Sequence, residues 1–153
     1  MYERIMVALD DSPSAQRALA EALRLAKLTG ATLDVCCVVE RGKWPEARNT
    51  GFDPEATGAP QNAADSALDS AQTLIREAQV RGAVRVVDAY GENVSAVLAR
   101  LADETEADLI VIGTHGRRGV QRFLLGSVAE LLVRSTQKPV LIVRHDSSRH
   151  VRP

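Results

Sequence analysis

Residues 108–127 read DLIVIGTHGRRGVQRFLLGS. The segment DLIVI is nearly all apolar, as expected of a central strand covered on both faces. Residues 128–135, VAELLVRS, resume helical spacing through Val128, Leu131 and Leu132. The connection between them, residues 113–127, holds four glycines, three arginines and no acid. Gly113 and Gly116 are separated by two residues, Gly116 and Gly126 by nine, and Ser127 follows at once. Glycine lets the main chain approach a ligand closely. A helix entered at Gly126–Ser127 presents unpaired N–H groups and the positive end of its dipole, which together favour an anion. Each such contact is worth about 0.3–1 kcal/mol, so several donors must converge on a phosphate. Arg117, Arg118 and Arg122 supply compensating charge. From these residues alone two readings stay open: a phosphate cradle, or an ordinary surface loop with Ser127 as a helix cap.

Outward from this stretch the chain alternates. Residues 4–9 (RIMVAL) form a strand pattern ending at Asp10, followed by Ser12 as a cap and Pro13 at the first helical position. Leu19, Ala22, Leu23 and Ala26 recur at helical spacing until Gly30. Residues 32–39 (TLDVCCVV) read as a second strand. Residues 40–61 carry three glycines and three prolines and read as a long exposed loop. Helical spacing returns from Ala64 to Ala78, a third strand is expected over residues 83–90, and Gly91 and Asn93 make a turn with a cap. Val94, Val97, Leu98, Leu101 and Ala102 form one apolar helical stripe. Residues 138–144 (KPVLIVR) are the last strand. Five strands alternating with four helices predict an α/β fold, a parallel sheet with helices on both faces and right-handed crossovers. Ligands in such sheets sit beyond the carboxyl ends of strands, where the winding reverses. Asp10 and Gly113 each lie at such an end. They share one crevice if strands one and four are neighbours.

The 153 residues fit one domain, expected over residues 1–146, with a frayed tail at 147–153. A net charge of −1 argues against a basic field for nucleic acid or an anionic membrane. Aromatics at 3% leave few stacking platforms for single strands. Apolar runs fall far short of the roughly 20 residues that span a bilayer, and the start MYERIMVALD lacks the layout of a signal peptide. A cytoplasmic location is expected. Cys36 and Cys37 are neighbours on a strand, pointing to opposite faces, so they suit inert thiols rather than a disulfide. His115, His145 and His150 show no metal-ligand spacing.

Neither GxxxxGK[ST] nor a GxGxxG after the first strand is present, so the common phosphate fingerprints do not apply. Instead Gly113-Thr-His-Gly116, nine residues, Gly126-Ser127 resembles the G-2x-G-9x-G-S/T signature of the universal stress protein family, in its ATP-binding branch. The opening IMVALDDS, the segment VIGTHG and the ending LLGSVAELLVRSTQKPVLIVR match as well. The resemblance runs from about residue 3 to residue 145 and is weakest over the 41–61 loop. It implies a five-stranded, Rossmann-like sheet in the order 3-2-1-4-5, as in adenine nucleotide α-hydrolase-like folds. It also implies that Ala8, Leu9 and Asp10 meet adenine and ribose, with Val38 beside the adenine. Ile112, Gly113, His115 and Gly116 would line the ribose and α-phosphate, and Gly126, Ser127, Val128 and Ala129 would hold the outer phosphates. For Val38 and Ile112 the residues alone indicate core packing.

Phosphoryl transfer needs a base or water-positioning group and carboxylates for metal. The glycine loop offers donors and cations but no acid. The expectation is therefore an ATP-binding regulatory module with slow hydrolysis at most, Mg²⁺ arriving on the phosphates, and an unidentified regulatory protein partner. A true ATPase or phosphotransferase, and a nucleotide-independent interaction module, are the rivals. The last strand, residues 138–144, would be an apolar edge, which invites a second copy to pair across a two-fold axis. The family resemblance implies the same homodimer.

Overall fold

The first strand of the chain, β1 (Arg4–Ala8), lies in the middle of a five-stranded sheet whose order is β3-β2-β1-β4-β5. The structure is a computed structural model that describes residues 1–10, 12–39, 54–114 (backbone only over 54–65) and 126–145. The remaining elements are α1 (Pro13–Thr29), β2 (Thr32–Val39), α2 (Pro54–Ala78), β3 (Gly82–Asp88), α3 (Val94–Glu104), β4 (Leu109–Gly113), α4 (Ser127–Ser135) and β5 (Val140–Val143). Every strand pair is parallel. β1 and β4 are neighbours, as the shared crevice requires, and β5 is an edge.

Alternation along each strand builds two cores. Ile5 and Val7 of β1, Leu33 and Val35 of β2, and Leu109 and Val111 of β4 face α1 and α2. α1 meets them with Ala15, Ala18, Ala22 and Ala26, a run of small residues that lets the helix lie close to the sheet. Met6, Cys36, Ile110 and Ile112 face the other way, onto Val97, Leu98 and Leu101 of α3 and Ala129 and Leu132 of α4. β4 is buried at every position, matching the reading of its apolar run.

Register between β1 and β4 is fixed at the amino edge. The Asp108 carboxylate accepts the backbone N–H of Glu3 (2.8 Å) and of Arg4 (3.1 Å), and the Asp108 N–H donates to the Arg4 carbonyl (2.9 Å). Ile5 then stands beside Leu109 and Val7 beside Val111, so the tips of the two strands emerge level.

Three expectations need correction. The 40–61 segment is not a loop throughout, because α2 begins at Pro54. Proline's fixed φ suits a first helical position, and the helix continues through Gly58 and Pro60, whose composition had suggested a loop. Ser127 is not a helix cap. Gly126 holds that position with φ −63 and ψ 154, and Ser127 is the first residue inside α4. Asn93 occupies the N-cap of α3, but its side chain makes no capping bond. Smaller shifts occur at the strand ends: β1 stops at Ala8, β3 runs over Gly82–Asp88, β4 ends at Gly113 and β5 is shorter than residues 138–144. The tail, residues 147–153, lies outside the described residues.

Candidate functional site

The winding of the sheet reverses between β1 and β4, and the residues just beyond their carboxyl ends face one another across that point. On the β1 side, Ala8 is half-buried against the α3–α4 core. Leu9 is 3% exposed in the α1–α2 core, and its N–H donates to the Cys36 carbonyl at 2.9 Å. Only its carbonyl is left to face a ligand. Asp10 is half-buried. Its Oδ1 accepts the Ser12 N–H (2.8 Å) and its carbonyl accepts Gln16 Nε2 (3.4 Å). Ser12 Oγ accepts the Ala15 N–H at 3.2 Å and so caps α1. Asp10 thus shapes the turn and keeps Oδ2 without a partner among the described residues.

On the β4 side, Ile112 is 6% exposed and packs in the α3–α4 core, so its main chain alone borders the crevice. Gly113 is glycine for want of space. A Cβ there would collide with Ser14 Oγ and lie 2.6 Å from the Ser14 carbonyl carbon. The first turn of α1 is seated directly on the end of β4. Thr114, which sequence reasoning passed over, is buried and ties two elements together. Its N–H donates to the Val143 carbonyl (2.9 Å) and its carbonyl accepts the Gly126 N–H (2.6 Å). His115, Gly116 and the three arginines of the connection lie outside the described residues.

That last bond decides which helix amides are open. Of the four unpaired N–H groups at the entrance of α4, the Gly126 N–H is engaged by Thr114. Those of Ser127, Val128 and Ala129 have no acceptor among the described residues, and no side chain caps them. Ser127 is exposed, Val128 half-buried and Ala129 buried. Glu130 brings a carboxylate into the first turn, where it opposes an incoming anion; Arg134 lies 3.4 Å from it and moderates that charge. Sequence reading of residues 113–127 stopped short of it.

Val38 is half-buried against the α3–α4 core, beside Val87 of β3. The Cys36 thiol is fully buried on that same face, and desolvation raises its pKa to about 11 against the opposing pull of Arg85. Cys37 packs on the opposite face with Leu68. Neither cysteine is in a disulfide. Among the described residues no group of three or more His, Cys, Asp or Glu is placed to hold a metal ion, and no helix is long and apolar enough to cross a membrane.

The chain as a whole is similar to known proteins. The universal stress protein family model matches residues 1–144. A staphylococcal protein bearing the universal stress protein name, from Staphylococcus saprophyticus, is 31% identical over 143 residues, 94% of this chain and 84% of its own. A universal stress family protein from Burkholderia pseudomallei is 38% identical, with a TM-score of 0.72 over 93% of this chain and 96% of that one. A universal stress protein of Archaeoglobus fulgidus, solved in complex with dAMP, is 26% identical with a TM-score of 0.66, covering 93% of this chain and 98% of that one.

Proposed function

The chain belongs to the universal stress protein family, and from that premise we propose that it is an ATP-binding regulatory module of the stress response. The observation that carries the reading is the open trio of amides, Ser127, Val128 and Ala129, at a helix entrance beside the β1–β4 switch point. Three converging donors and a helix dipole suit a phosphate chain. The relative with bound dAMP supports an adenine nucleotide as the occupant.

In this reading the outer phosphates accept from the α4 amides, and the exposed Ser127 hydroxyl adds a donor. Gly126 acts at one remove, holding the helix entrance against Thr114. Asp10 Oδ2 accepts from a ribose hydroxyl, and Leu9 and Ile112 offer main chain only. Val38 gives the base an apolar neighbour. His115 and Gly116 complete the lining by family resemblance. Mg²⁺ comes with the phosphates, held by them and by water. Asp10, the carboxylate beyond β1, sits at the nucleoside end, so the residues favour binding with slow hydrolysis at most. Bound nucleotide would then alter the surface offered to a protein partner. The cytoplasm, where such nucleotides are abundant, is the compartment this reading implies.

The β5 edge, residues 138–144, would pair with a second copy. Val140, Leu141 and Ile142 are only half-buried there, and Leu131 and Val133 of α4 are 44% and 46% exposed. Isothermal titration with ATP and with AMP, each with Mg²⁺, tests the function. Saturable binding of at least one is expected; no binding of either overturns the reading. Turnover well above background would favour the ATPase instead.

A further inference from the structure

The turn after β3 carries a residue that the fold does not explain. The Glu92 N–H donates to the Ala89 carbonyl at 3.0 Å, closing a four-residue turn. Its two central residues both have positive φ: Tyr90 at 50 and Gly91 at 84. Turns of that kind favour Gly, Asn or Asp in the first central position, because a bulky side chain there is strained. Tyr90 takes it while 80% exposed. It gains neither burial nor a relaxed backbone. The turn is nonetheless held firmly. The Asp88 carboxylate accepts the Tyr90 N–H at 2.8 Å, and Arg100 of α3 grips both carboxylate oxygens of Glu92 at 2.9 and 3.0 Å.

Its position gives the residue a use. The turn lies at the carboxyl edge of the sheet, the edge of the nucleotide crevice. The Ala89 N–H donates to the Val39 carbonyl at 2.8 Å, so Tyr90 follows directly on the last bond between β3 and β2. Val38 stands beside Val87 in that pairing, one strand spacing, about 4.8 Å, away. Among the described residues Phe, Tyr and Trp are represented by Tyr2 and Tyr90. Tyr2 precedes β1 at the amino edge and packs against the α1–α2 core. Tyr90 is therefore the described tyrosine at the edge where a nucleobase would lie, and it follows the strand that pairs with β2.

We infer that Tyr90 is a base-binding residue that stacks on the nucleobase of a nucleotide bound across the β1–β2 tips, presented there by a strained, braced turn. The inference rests on the nucleotide reading above and adds a residue that the glycine signature does not contain. Glycine relaxes the turn and removes the ring, whereas phenylalanine keeps the ring and loses only the hydroxyl. Titration of ATP into wild type, Tyr90→Gly and Tyr90→Phe, with thermal melting of each free protein, tests it. Stacking on one base predicts affinity weaker by about tenfold in Tyr90→Gly. Tyr90→Phe should stay near wild type, and the free Tyr90→Gly protein should melt no lower than wild type. NMR of the wild-type complex should show contacts between the Tyr90 ring protons and the base protons. Unchanged affinity in Tyr90→Gly, absent ring-to-base contacts, or a lowered melting temperature of free Tyr90→Gly each overturns the inference. Failure of the wild type to bind ATP or AMP removes the nucleotide reading and this inference with it, an outcome distinct from binding that ignores position 90.

Discussion

The Gly126 amide donates to the Thr114 carbonyl at 2.6 Å, while the Thr114 amide donates to the Val143 carbonyl at 2.9 Å. The connection that begins after β4 thus returns to the point it left, and that point is bonded to β5. α4 enters at this junction with the amides of Ser127, Val128 and Ala129 uncapped among the described residues.

An acceptor supplied by the chain itself should compete with a phosphate for those amides. Gly126 has an extended backbone that any residue adopts. Gly126→Asp places a carboxylate at the N-cap, where it is a better cap than glycine by a few tenths of a kcal/mol. The variant should melt at or slightly above the wild-type temperature and lose ATP binding. Retained affinity would show that the α4 entrance is not where the phosphates go.

Gly113→Ala should behave in the opposite way. Its new methyl meets the Ser14 backbone as well as its side chain, so trimming Ser14 cannot relieve the overlap. Overpacking of this kind costs about 1–3 kcal/mol. Urea unfolding should show a lower midpoint with an unchanged slope. A wild-type midpoint would mean that α1 rides up from β4 without penalty.

The Cys36 thiol predicts a stability loss in alkali. Burial raises its folded pKa to about 11, above the ordinary thiol value of 9.0. The folded state therefore holds that proton more tightly than the unfolded chain. The contribution is fully present below pH 9 and is lost as pH rises through the folded value. Melting temperature should fall over that window, and the fall should be shallower in Cys36→Ala. Equal slopes in the two proteins would remove the thiol from the explanation.

The proposed dimer can be probed without disturbing the sheet. The Pro139 and Val143 carbonyls accept from Ile110 of β4 and from Thr114 just beyond it, so by alternation Val140 and Ile142 turn their backbone groups to the open edge. Ile142→Pro removes an outward N–H that β4 does not use. Sedimentation of wild type should give a dimer and of the variant a monomer with native circular dichroism. A monomeric wild type at high concentration would dispose of the dimer.

The sheet was legible because its signals are local and repeated. DLIVI is apolar at nearly every position, as a strand covered on both faces must be, and Ser12-Pro13 and Gly30 bracket α1. Residues 54–61 were misread because Gly58 and Pro60 are weak helix formers, and propensity yields to context over a long helix. In the site, the glycine spacing marked the right connection, but not what its described glycines do. Gly113 answers to Ser14, and Gly126 to the Thr114 carbonyl, both relations between residues far apart in sequence. Tyr90 escaped notice because a positive φ at tyrosine leaves no trace in composition or period.

The central place of β1 also bears on how the protein is made. Ile5–Val7 can pair with β2 once residue 35 has been synthesised, but their other partners, Leu109–Val111, come more than a hundred residues later. At roughly 5–20 residues per second the ribosome leaves that edge of β1 open for several seconds. The crevice exists only after β4 has docked, so a nucleotide has no site between β1 and β4 before then. During that interval the unpaired N–H and C=O groups on that side of β1 stay open to pairing with another chain.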